Sequence, residues 1–342
     1  MASSLPKTYK AAVFPRAGAP LEIWDVPLKQ PGRGQVLVKV LACGVCHTDA
    51  FIQSGGFHSP WPLVPGHEIV GDVVAVGEGV RRFKEGDRVG GGFHGGHDGI
   101  CRSCQRGMFQ QCANGAITGG STDGGYAEYT LLREEATSFI PPDMDPAEAA
   151  PFLCAGTTVF NAIRKLRVEQ GNLVAIQGLG GLGHLAVQYA RKMGYTTVAI
   201  SRGGADKRRF AVELGAHEYI DTTNEDVAGR LGEMGGAALI VSTGPDGKAA
   251  SELVGGLQNG GKLVILAPMG PVGFDTTALI TKGASVHGWS TGNALDGEEA
   301  LEFAKRHGVR CLIETFPLAD AVKAFDIMLQ GTPRFRNVLV MN

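Results

Sequence analysis

Three side chains have the types that zinc prefers as ligands. Cys46, His67 and Cys154 supply two thiolates and one imidazole. Catalytic zinc sites use three protein ligands and leave the fourth tetrahedral position to water or substrate, whereas structural sites are closed by four. An ion with an open position acts as a Lewis acid on an oxygen atom. The three residues therefore predict a catalytic zinc site.

A second group of cysteines has the spacing of a structural metal site. Cys101, Cys104 and Cys112 follow the pattern C-x2-C-x7-C in a glycine-rich loop. A closed site needs a fourth ligand. The same x2 spacing counted backward from Cys101 reaches Asp98, and the adjacent His97 is the alternative. A metal-free thiol loop and a disulfide are two further interpretations, and a reducing cytosol disfavours the second.

A glycine-rich loop predicts a dinucleotide site. Residues 178–183 fit G-x-G-x-x-G, follow a predicted strand (173–176) and open a predicted amphipathic helix (182–193). In that context the glycines permit a tight turn and close approach of the backbone to a pyrophosphate at the helix N-terminus. The alternative is a glycine-rich turn without a ligand. The loop residues expected to bind the cofactor are Gly178, Gly180, Gly181, Leu182 and Gly183.

The end of the next predicted strand indicates which cofactor binds. NAD-dependent enzymes usually place an acidic residue about 20 residues after the loop, where it binds the ribose hydroxyls. This chain has Ser201 and Arg202 there, with Lys207 and Arg208 close behind. A hydroxyl and a guanidinium suit a 2′-phosphate, so we predict NADP(H) over NAD(H). The alternative is that Arg202 is a solvated loop charge.

The elements that must position these residues follow two patterns. Short apolar runs separated by Gly and Pro, from residue 9 to about 133, predict a mostly β domain. Asp145 followed by Pro146 predicts a helix start, with helical spacing through Ile163 and Cys154 on or beside this helix. From residue 172 strands and helices alternate, as in a doubly wound parallel sheet. We predict an α/β protein with domains at 1–153, 154–288 and 289–342, the last returning to the first.

Length and composition exclude several classes of protein. A chain of 342 residues suggests two domains. A net charge of −2 supports neither a nucleic-acid nor a membrane partner. No apolar run reaches the ~18–20 residues of a membrane span, and the start lacks the apolar block of a secretory signal. Seven cysteines in such a chain favour metal ligation or free thiols. We therefore expect a cytoplasmic protein.

Together these motifs resemble the zinc-containing alcohol dehydrogenases of the medium-chain dehydrogenase/reductase superfamily. The pattern G-H-E-x2-G-x5-G-x2-V, from Gly66 to Val80, fits that family's zinc signature, and the motifs keep the family's order along the whole chain. The resemblance implies a GroES-like catalytic domain, a Rossmann cofactor-binding domain and an active site in the cleft between them.

The resemblance also implies roles for the residues around the catalytic zinc. Cys46, His67 and Cys154 would bind the ion, with Glu68 behind it. Asp49 would orient His67 through a hydrogen bond. The alternative for Asp49 is a favourable charge at a helix N-terminus.

Four further residues would face substrate and cofactor by the same resemblance. Thr48 would hydrogen-bond the substrate oxygen and pass on its proton, unless it is only a helix-capping hydroxyl. His47 and Arg336 would face the cofactor pyrophosphate, and Thr158 would pack by the nicotinamide.

Two positions depart from the family pattern, and two others leave alternatives open. Several relatives have a His three residues after the Thr, at the end of a proton relay, where this chain has Phe51. Asp98 stands where the family has the first structural cysteine. Trp61 and Phe93 are candidates for the wall of the substrate pocket, with ordinary core positions as the alternative.

The activity implied by the resemblance is that of a zinc-dependent alcohol dehydrogenase or aldehyde reductase. It would use a nicotinamide cofactor, for which Ser201 and Arg202 favour NADP(H). It would also use one catalytic and one structural zinc ion per chain and a small-molecule alcohol or aldehyde. The alternatives are a zinc-free quinone or enoyl reductase of the same fold and a non-enzymatic NADPH-binding protein. The resemblance further implies a homodimer or homotetramer.

Overall fold

Two units make up the fold. The computed structural model describes residues 5–57, 59–331 and 334–341. Unit 1 comprises Met1–Thr157, Thr291–Lys305 and Arg310–Asn342, and unit 2 comprises Thr158–Ser290 and Arg306–Val309.

The strands alternate with helices over the second half of the chain and dominate the first half. In chain order the strands are β1 (Thr8–Val13), β2 (Glu22–Pro27), β3 (Gln35–Val45), β4 (Ile69–Val76), β5 (Arg88–Gly91), β6 (His94–Gly96), β7 (Ala116–Ile117), β8 (Tyr129–Arg133), β9 (Thr137–Phe139), β10 (Leu173–Gln177), β11 (Thr196–Ser201), β12 (Glu218–Asp221), β13 (Ala237–Ser242), β14 (Leu257–Ile265), β15 (Ser285–Gly288), β16 (Ile313–Pro317) and β17 (Arg336–Val340).

The helices of both units range from about one to four turns. The α-helices are α1 (His47–Gln53), α2 (Arg102–Gln105), α3 (Pro146–Ala149), α4 (Ala155–Lys165), α5 (Gly183–Lys192), α6 (Gly204–Glu213), α7 (Val227–Glu233), α8 (Gly247–Glu252), α9 (Thr276–Lys282), α10 (Ala294–His307) and α11 (Ala321–Leu329). Short 3-10 helices cover Phe109–Gln111, Glu134–Ala136, Ala150–Leu153, Leu253–Gly256 and Leu318–Asp320.

The main sheet of unit 1 has the order β16-β17-β3-β4-β5-β9, with β8 also pairing β3. Its pairs are antiparallel except β16 with β17. The antiparallel pairing of β3 with β4 matters for function, because Cys43 and Ile69 are register partners. The end of β3 and the start of β4 therefore lie side by side, and the residues just beyond them, Cys46 and His67, meet at that end of the sheet.

A break in the helix after Asp145 differs from the sequence prediction. Asp145 caps α3 as predicted, its side chain accepting the amides of Ala147 and Glu148. The helix does not continue to Ile163, however, because α3 ends at residue 149 and a 3-10 turn containing Pro151 follows. Proline lacks an N–H and its ring clashes with the preceding turn of an α-helix. The break leaves Cys154 in an irregular conformation (φ −122°, ψ −77°) before α4 begins.

Unit 2 contains a fully parallel sheet of order β12-β11-β10-β13-β14-β15. Counted from β10, this is the 3-2-1-4-5-6 order of a doubly wound fold, and such folds bind ligands beyond the carboxyl ends of the strands where the order reverses. The reversal lies between β10 and β13. The core takes alternate residues from neighbouring strands, such as Leu173 and Ala175 on β10 and Val198 and Ile200 on β11, as a period of two requires. The predicted α/β class with a doubly wound parallel sheet is confirmed.

Within the described part of the chain, every helix is too short or too polar to cross a bilayer.

Candidate active site

The three predicted zinc ligands lie together in unit 1. Cys46 precedes α1, His67 precedes β4, and Cys154 lies in the break before α4. Their ligand atoms and a carboxylate oxygen of Glu68 are all within 4.8 Å of one another. The two sulfur atoms are 3.9 Å apart. Cys46, His67 and Glu68 are buried, so the cluster has the donor set and the shielding from water that a zinc site needs.

The environment of His67 tests whether a metal fits. The imidazole is fully buried, and its Nε2 has no hydrogen-bond partner among the described residues. A buried polar nitrogen without a partner is costly and rare. Nδ1 lies 3.2 Å from Asp49 Oδ1, an ion-pair distance without good hydrogen-bond alignment. A metal ion bound between Nε2 and the two sulfurs would satisfy the orphaned nitrogen, so the residues fit zinc.

Asp49 is held by two donors besides its contact with His67. Its Oδ2 accepts the amide of Cys46 at 3.0 Å and the hydroxyl of Tyr126 at 2.8 Å. No sequence pattern indicated Tyr126, which is 77 residues from Asp49. A metal-bound His usually has such a carboxylate partner, which fixes the ring's orientation. Asp49 and Tyr126 therefore form a buried support behind the cluster.

The two thiols of the cluster share one hydrogen bond. The bond with Cys154 lowers the pKa of Cys46 well below that of an ordinary thiol. The same bond raises the pKa of Cys154. Metal ligation requires thiolates, and the structure favours the ionised form at Cys46 first.

Glu68 forms a buried ion pair with Arg336, which was predicted to face the cofactor pyrophosphate. Arg336 Nη2 donates to Glu68 Oε1, and both side chains are at least 94% buried. Burial raises the pKa of Glu68 to about 8, although the guanidinium opposes that shift. Glu68 Oε2 has no partner among the described residues. The contact of Arg336 with a pyrophosphate stays a prediction.

Aromatic side chains lie beside the imidazole ligand. The ring of Phe93 is 5.4 Å from that of His67 in an edge-on arrangement, and Phe57 is 5.8 Å from Phe93. Phe51 continues the row, 4.9 Å from Phe57 and 48% exposed. Trp61 instead packs against the core of unit 1.

Two polar side chains lie at the start of α1 next to the cluster. Thr48 Oγ1 lies 3.5 Å from Cys46 Sγ, which places a hydroxyl at the edge of the cluster. His47, the first residue of α1, is exposed. Their roles toward substrate and cofactor stay predictions.

The second predicted metal site is also assembled in unit 1. Ligand atoms of Asp98, Cys101, Cys104 and Cys112 lie within 4.8 Å of one another. Asp98 Oδ1 accepts the amide of Cys101 at 3.0 Å. This and other hydrogen bonds lower the pKa of Asp98, which keeps it ionised. Burial raises the pKa of Cys104 to about 12.

His97, the alternative fourth ligand, is engaged elsewhere. Its ring stacks on Phe109 at 4.3 Å, and its Nδ1 lies 3.2 Å from His94 Nε2. Of the two alternatives, the geometry therefore groups Asp98 with the cysteines. Three sulfurs and one carboxylate oxygen form a closed set that zinc accepts.

The glycine loop of unit 2 joins β10 to α5. Gly178 has φ +94°, which a side chain would disfavour. A Cβ on Gly183 would lie 1.8 Å from the carbonyl oxygen of Gly178, whereas a Cβ on Gly180 would meet nothing within 4 Å. The first and third glycines are therefore required by the turn itself. The open space at Gly180 leaves room for close approach to the backbone, and the binding of a pyrophosphate there stays a prediction.

The loop after β11 carries the predicted selectivity residues. Ser201 ends β11, and its Oγ lies 3.4 Å from the carbonyl oxygen of Arg202. Arg202 is exposed, and its guanidinium makes no hydrogen bond or ion pair with any residue that the structure describes. Lys207 lies on α6. Thr158, expected beside the nicotinamide, is buried on α4.

Comparison with known proteins agrees with the fold. The alcohol dehydrogenase GroES-like domain family matches residues 32–142, and the zinc-binding dehydrogenase family matches residues 181–313. The chain is 53% identical over 341 residues to the alcohol dehydrogenase patD of Penicillium expansum, with 100% of both chains covered.

Two solved structures are similar over nearly their whole length. The acetophenone reductase of Geotrichum candidum NBRC 4597, in complex with NAD, is 29% identical with a TM-score of 0.86, covering 99% of this chain and 98% of its own. A protein described as a zinc-binding dehydrogenase from Sinorhizobium meliloti 1021, bound to NADP, is 28% identical with a TM-score of 0.87, covering 98% and 100%. The chain therefore belongs to the zinc-containing alcohol dehydrogenases of the medium-chain dehydrogenase/reductase superfamily, with a GroES-like domain and a Rossmann domain.

Proposed function

We propose that the chain is a zinc-dependent alcohol dehydrogenase and aldehyde reductase, with NADP(H) as its preferred cofactor. It would interconvert a primary or secondary alcohol with the matching aldehyde or ketone. The observation that carries the proposal is the buried set of Cys46, His67 and Cys154, in which His67 Nε2 has no other partner among the described residues.

The residues of the cluster would hold one zinc ion, which supplies Lewis acidity toward a substrate oxygen when it is bound. Asp49 would keep the imidazole of His67 oriented, and Tyr126 would keep Asp49 in place through its 2.8 Å hydrogen bond. Thr48 would accept the proton of the substrate hydroxyl in a hydrogen bond and pass it on, because its Oγ1 lies at the edge of the cluster.

Phe51 makes the path of that proton different from that in relatives with a His at this position. A phenyl ring neither accepts nor donates a proton, so the path beyond Thr48 must use other groups or water. The row of Phe93, Phe57 and Phe51 beside His67 supports an apolar wall for the substrate. Such a wall suits small aliphatic as well as aromatic alcohols.

The second cluster supports a structural zinc ion, so that each chain would hold two. Asp98, Cys101, Cys104 and Cys112 would be its four ligands. Because carboxylate is a less common structural ligand than thiolate, we expect this ion to be held less tightly than one bound by four cysteines.

The preference for NADP(H) is supported by the loop after β11. The nicotinamide cofactor supplies the hydride chemistry, and the protein supplies binding and orientation. The hydroxyl of Ser201 and the exposed guanidinium of Arg202 suit a 2′-phosphate dianion. The two similar solved structures carry NAD in one case and NADP in the other, so overall likeness does not select the cofactor. The cytoplasmic location, the homodimer or homotetramer and the boundaries of the three predicted domains stay predictions.

A spectrophotometric screen tests the proposal. NADPH oxidation would be followed with a panel of aliphatic, aromatic and polyol-derived aldehydes, alongside quinones and enones, and then repeated with NADH. We expect turnover of aldehydes with a higher kcat/KM for NADPH, and its loss in the Cys46→Ser variant. Turnover of quinones or enones alone, unaffected by Cys46→Ser, would instead favour the zinc-free reductase. A higher kcat/KM for NADH would refute the NADP(H) preference.

A further inference from the structure

An acidic side chain lies next to the loop that we expect to bind the 2′-phosphate, one strand away. Asp221 ends β12 and is the parallel register partner of Ser201, which ends β11. The side chain is buried (6% exposed). Its Oδ2 accepts the amide of Gly204 at 2.8 Å, and its Oδ1 accepts the amide and hydroxyl of Thr223 at 3.1 and 2.8 Å. These hydrogen bonds, those from Thr223 first, lower the pKa of Asp221, so it is ionised at neutral pH.

The amide that Asp221 accepts belongs to the first residue of α6. That helix has Gly203 at its N-cap and therefore no capping side chain of its own. A helix start without a cap leaves amides without partners. Asp221 supplies the missing acceptor from the neighbouring strand, and its negative charge suits the positive end of the helix. Gly203 and Gly204 both have positive φ, +126° and +52°, in a loop whose glycines leave it many conformations when it is not tethered.

A second residue of β12 holds the other end of the same loop. The hydroxyl of Tyr219 donates to the carbonyl oxygen of Ser201 at 2.9 Å. The guanidinium of Arg208 lies 5.4 Å from the ring of Tyr219 and 3.5 Å from Glu225 Oε1. Glu225 Oε1 also accepts the amide of Asp221 at 2.8 Å. Residues of β12 therefore hold both ends of the loop of residues 201–204, and the exposed Arg202 lies between these ends.

We propose that Asp221 is a positioning residue for cofactor selectivity, holding the loop of residues 201–204 so that Ser201 and Arg202 can bind the 2′-phosphate of NADP(H). This inference rests on the proposed NADP(H) preference. An acidic residue near the end of β11 could instead bind the ribose hydroxyls and favour NAD(H). The geometry argues against that role, because both oxygens of Asp221 already accept hydrogen bonds from the protein.

The positioning role and simple charge repulsion predict opposite results. A carboxylate near a phosphate weakens its binding, so removal of the charge alone would tighten NADPH. Removal of the tether would instead loosen the loop and weaken NADPH. A charge-assisted hydrogen bond is strong enough that its loss is expected to weaken binding about tenfold.

The experiment measures the dissociation constants of NADPH and NADH, by calorimetry, for the zinc-loaded wild type and for Asp221→Ala and Asp221→Asn. We expect Asp221→Ala to weaken NADPH about tenfold and NADH less than threefold. Asp221→Asn should be intermediate, since its one amide oxygen can still accept either Gly204 or Thr223. In turnover assays, KM for NADPH should rise while kcat stays close to that of the wild type. Asp226→Ala is the matched control, because Asp226 caps α7 without touching the loop, and its NADPH-to-NADH ratio should equal that of the wild type.

Several outcomes would overturn the inference. Equal weakening of NADPH and NADH binding in Asp221→Ala would mean that Asp221 has a purely structural role. Tighter binding of NADPH would mean that Asp221 repels the phosphate. A selective loss of NADH binding would mean that Asp221 binds the ribose. If Asp221→Ala does not fold, Tyr219→Phe weakens the hold on the same loop by removing the hydroxyl that donates to the Ser201 carbonyl oxygen. An unchanged NADPH-to-NADH ratio in that variant would count against the inference. A wild type that binds NADH more tightly overturns the proposed cofactor preference itself, and that result is visible before any variant is measured.

Discussion

Replacement of Gly44 by Ala tests whether the buried carboxylate behind the cluster is packed as tightly as the structure indicates. Gly44 lies in β3, and its amide donates to the carbonyl oxygen of Glu68 at 3.0 Å. A Cβ at Gly44 would lie 1.9 Å from Glu68 Oε2 and 2.8 Å from its Cδ. Since non-bonded heavy atoms settle at about 3.5–4.0 Å, the carboxylate would have to move by more than about 1 Å.

The expected cost follows from what holds Glu68 in place. Its side chain is fully buried, and its Oε1 pairs with Arg336, so movement away from Gly44 strains or breaks a buried ion pair. Overpacking alone costs about 1–3 kcal/mol, and breaking a buried pair costs about 3–5 kcal/mol. We therefore expect Gly44→Ala to lower the free energy of unfolding of unit 1 by about 3–5 kcal/mol.

Urea unfolding followed by circular dichroism measures this change. Gly232→Ala is the control, because a Cβ there meets nothing within 4 Å and the residue lies in helix α7. That variant should be neutral or slightly stabilised. Addition of Gly44→Ala to a Glu68→Ala background should cost less than in the wild type, since the clashing carboxylate is gone and only the Glu68 Cβ, at 3.0 Å, remains close. A Gly44→Ala variant within about 0.5 kcal/mol of the wild type would refute the packing argument.

Three further predictions concern the supports of each site. Tyr126→Phe removes a hydrogen bond to Asp49, the carboxylate that we expect to orient His67, so zinc affinity measured by chelator competition should fall about tenfold. Ser201→Asp places a carboxylate against the 2′-phosphate, so kcat/KM for NADPH should fall on the order of a hundredfold while that for NADH rises. Asp98→Cys completes a set of four thiolates, so zinc release from the second cluster to a chelator should slow.

Each of these predictions has a result that contradicts it. An unchanged zinc affinity in Tyr126→Phe would mean that the hydrogen bond from the Tyr126 hydroxyl to Asp49 does not contribute to zinc binding. An unchanged ratio of kcat/KM values in Ser201→Asp would place the 2′-phosphate elsewhere. Faster zinc release from Asp98→Cys would mean that the carboxylate is the better ligand in this loop.

Local patterns in the sequence predicted the parts of the sites that lie within one turn or loop. Asp145 before Pro146 indicated a capped helix start, and the cap is present. The spacing of Gly178 and Gly183 predicted a tight strand-to-helix turn, and the carbonyl of Gly178 lies where any side chain at residue 183 would clash. Such features are readable because the interacting atoms belong to residues a few positions apart.

Contacts between distant residues could not be predicted from the same patterns. Tyr126 reaches Asp49 across 77 positions, and Arg336 reaches Glu68 across 268. The first contact joins helix α1 to the segment before β8, and the second joins β17 to the residue before β4. Periodicity along the chain reveals neither of these long-range contacts. The predicted length of the helix after Asp145 was wrong for a different reason. The apolar spacing continued past Pro151, whereas the backbone could not continue as an α-helix there.

The zinc content of the purified protein tests the central claim most directly. Elemental analysis by mass spectrometry after purification without chelators should give two zinc ions per chain. Cys46→Ser and Cys112→Ser should each retain one, since each removes a ligand from a different cluster. A wild type without zinc, or a Cys46→Ser variant that still holds two ions, would contradict the assignment of Cys46, His67 and Cys154 as a catalytic zinc site.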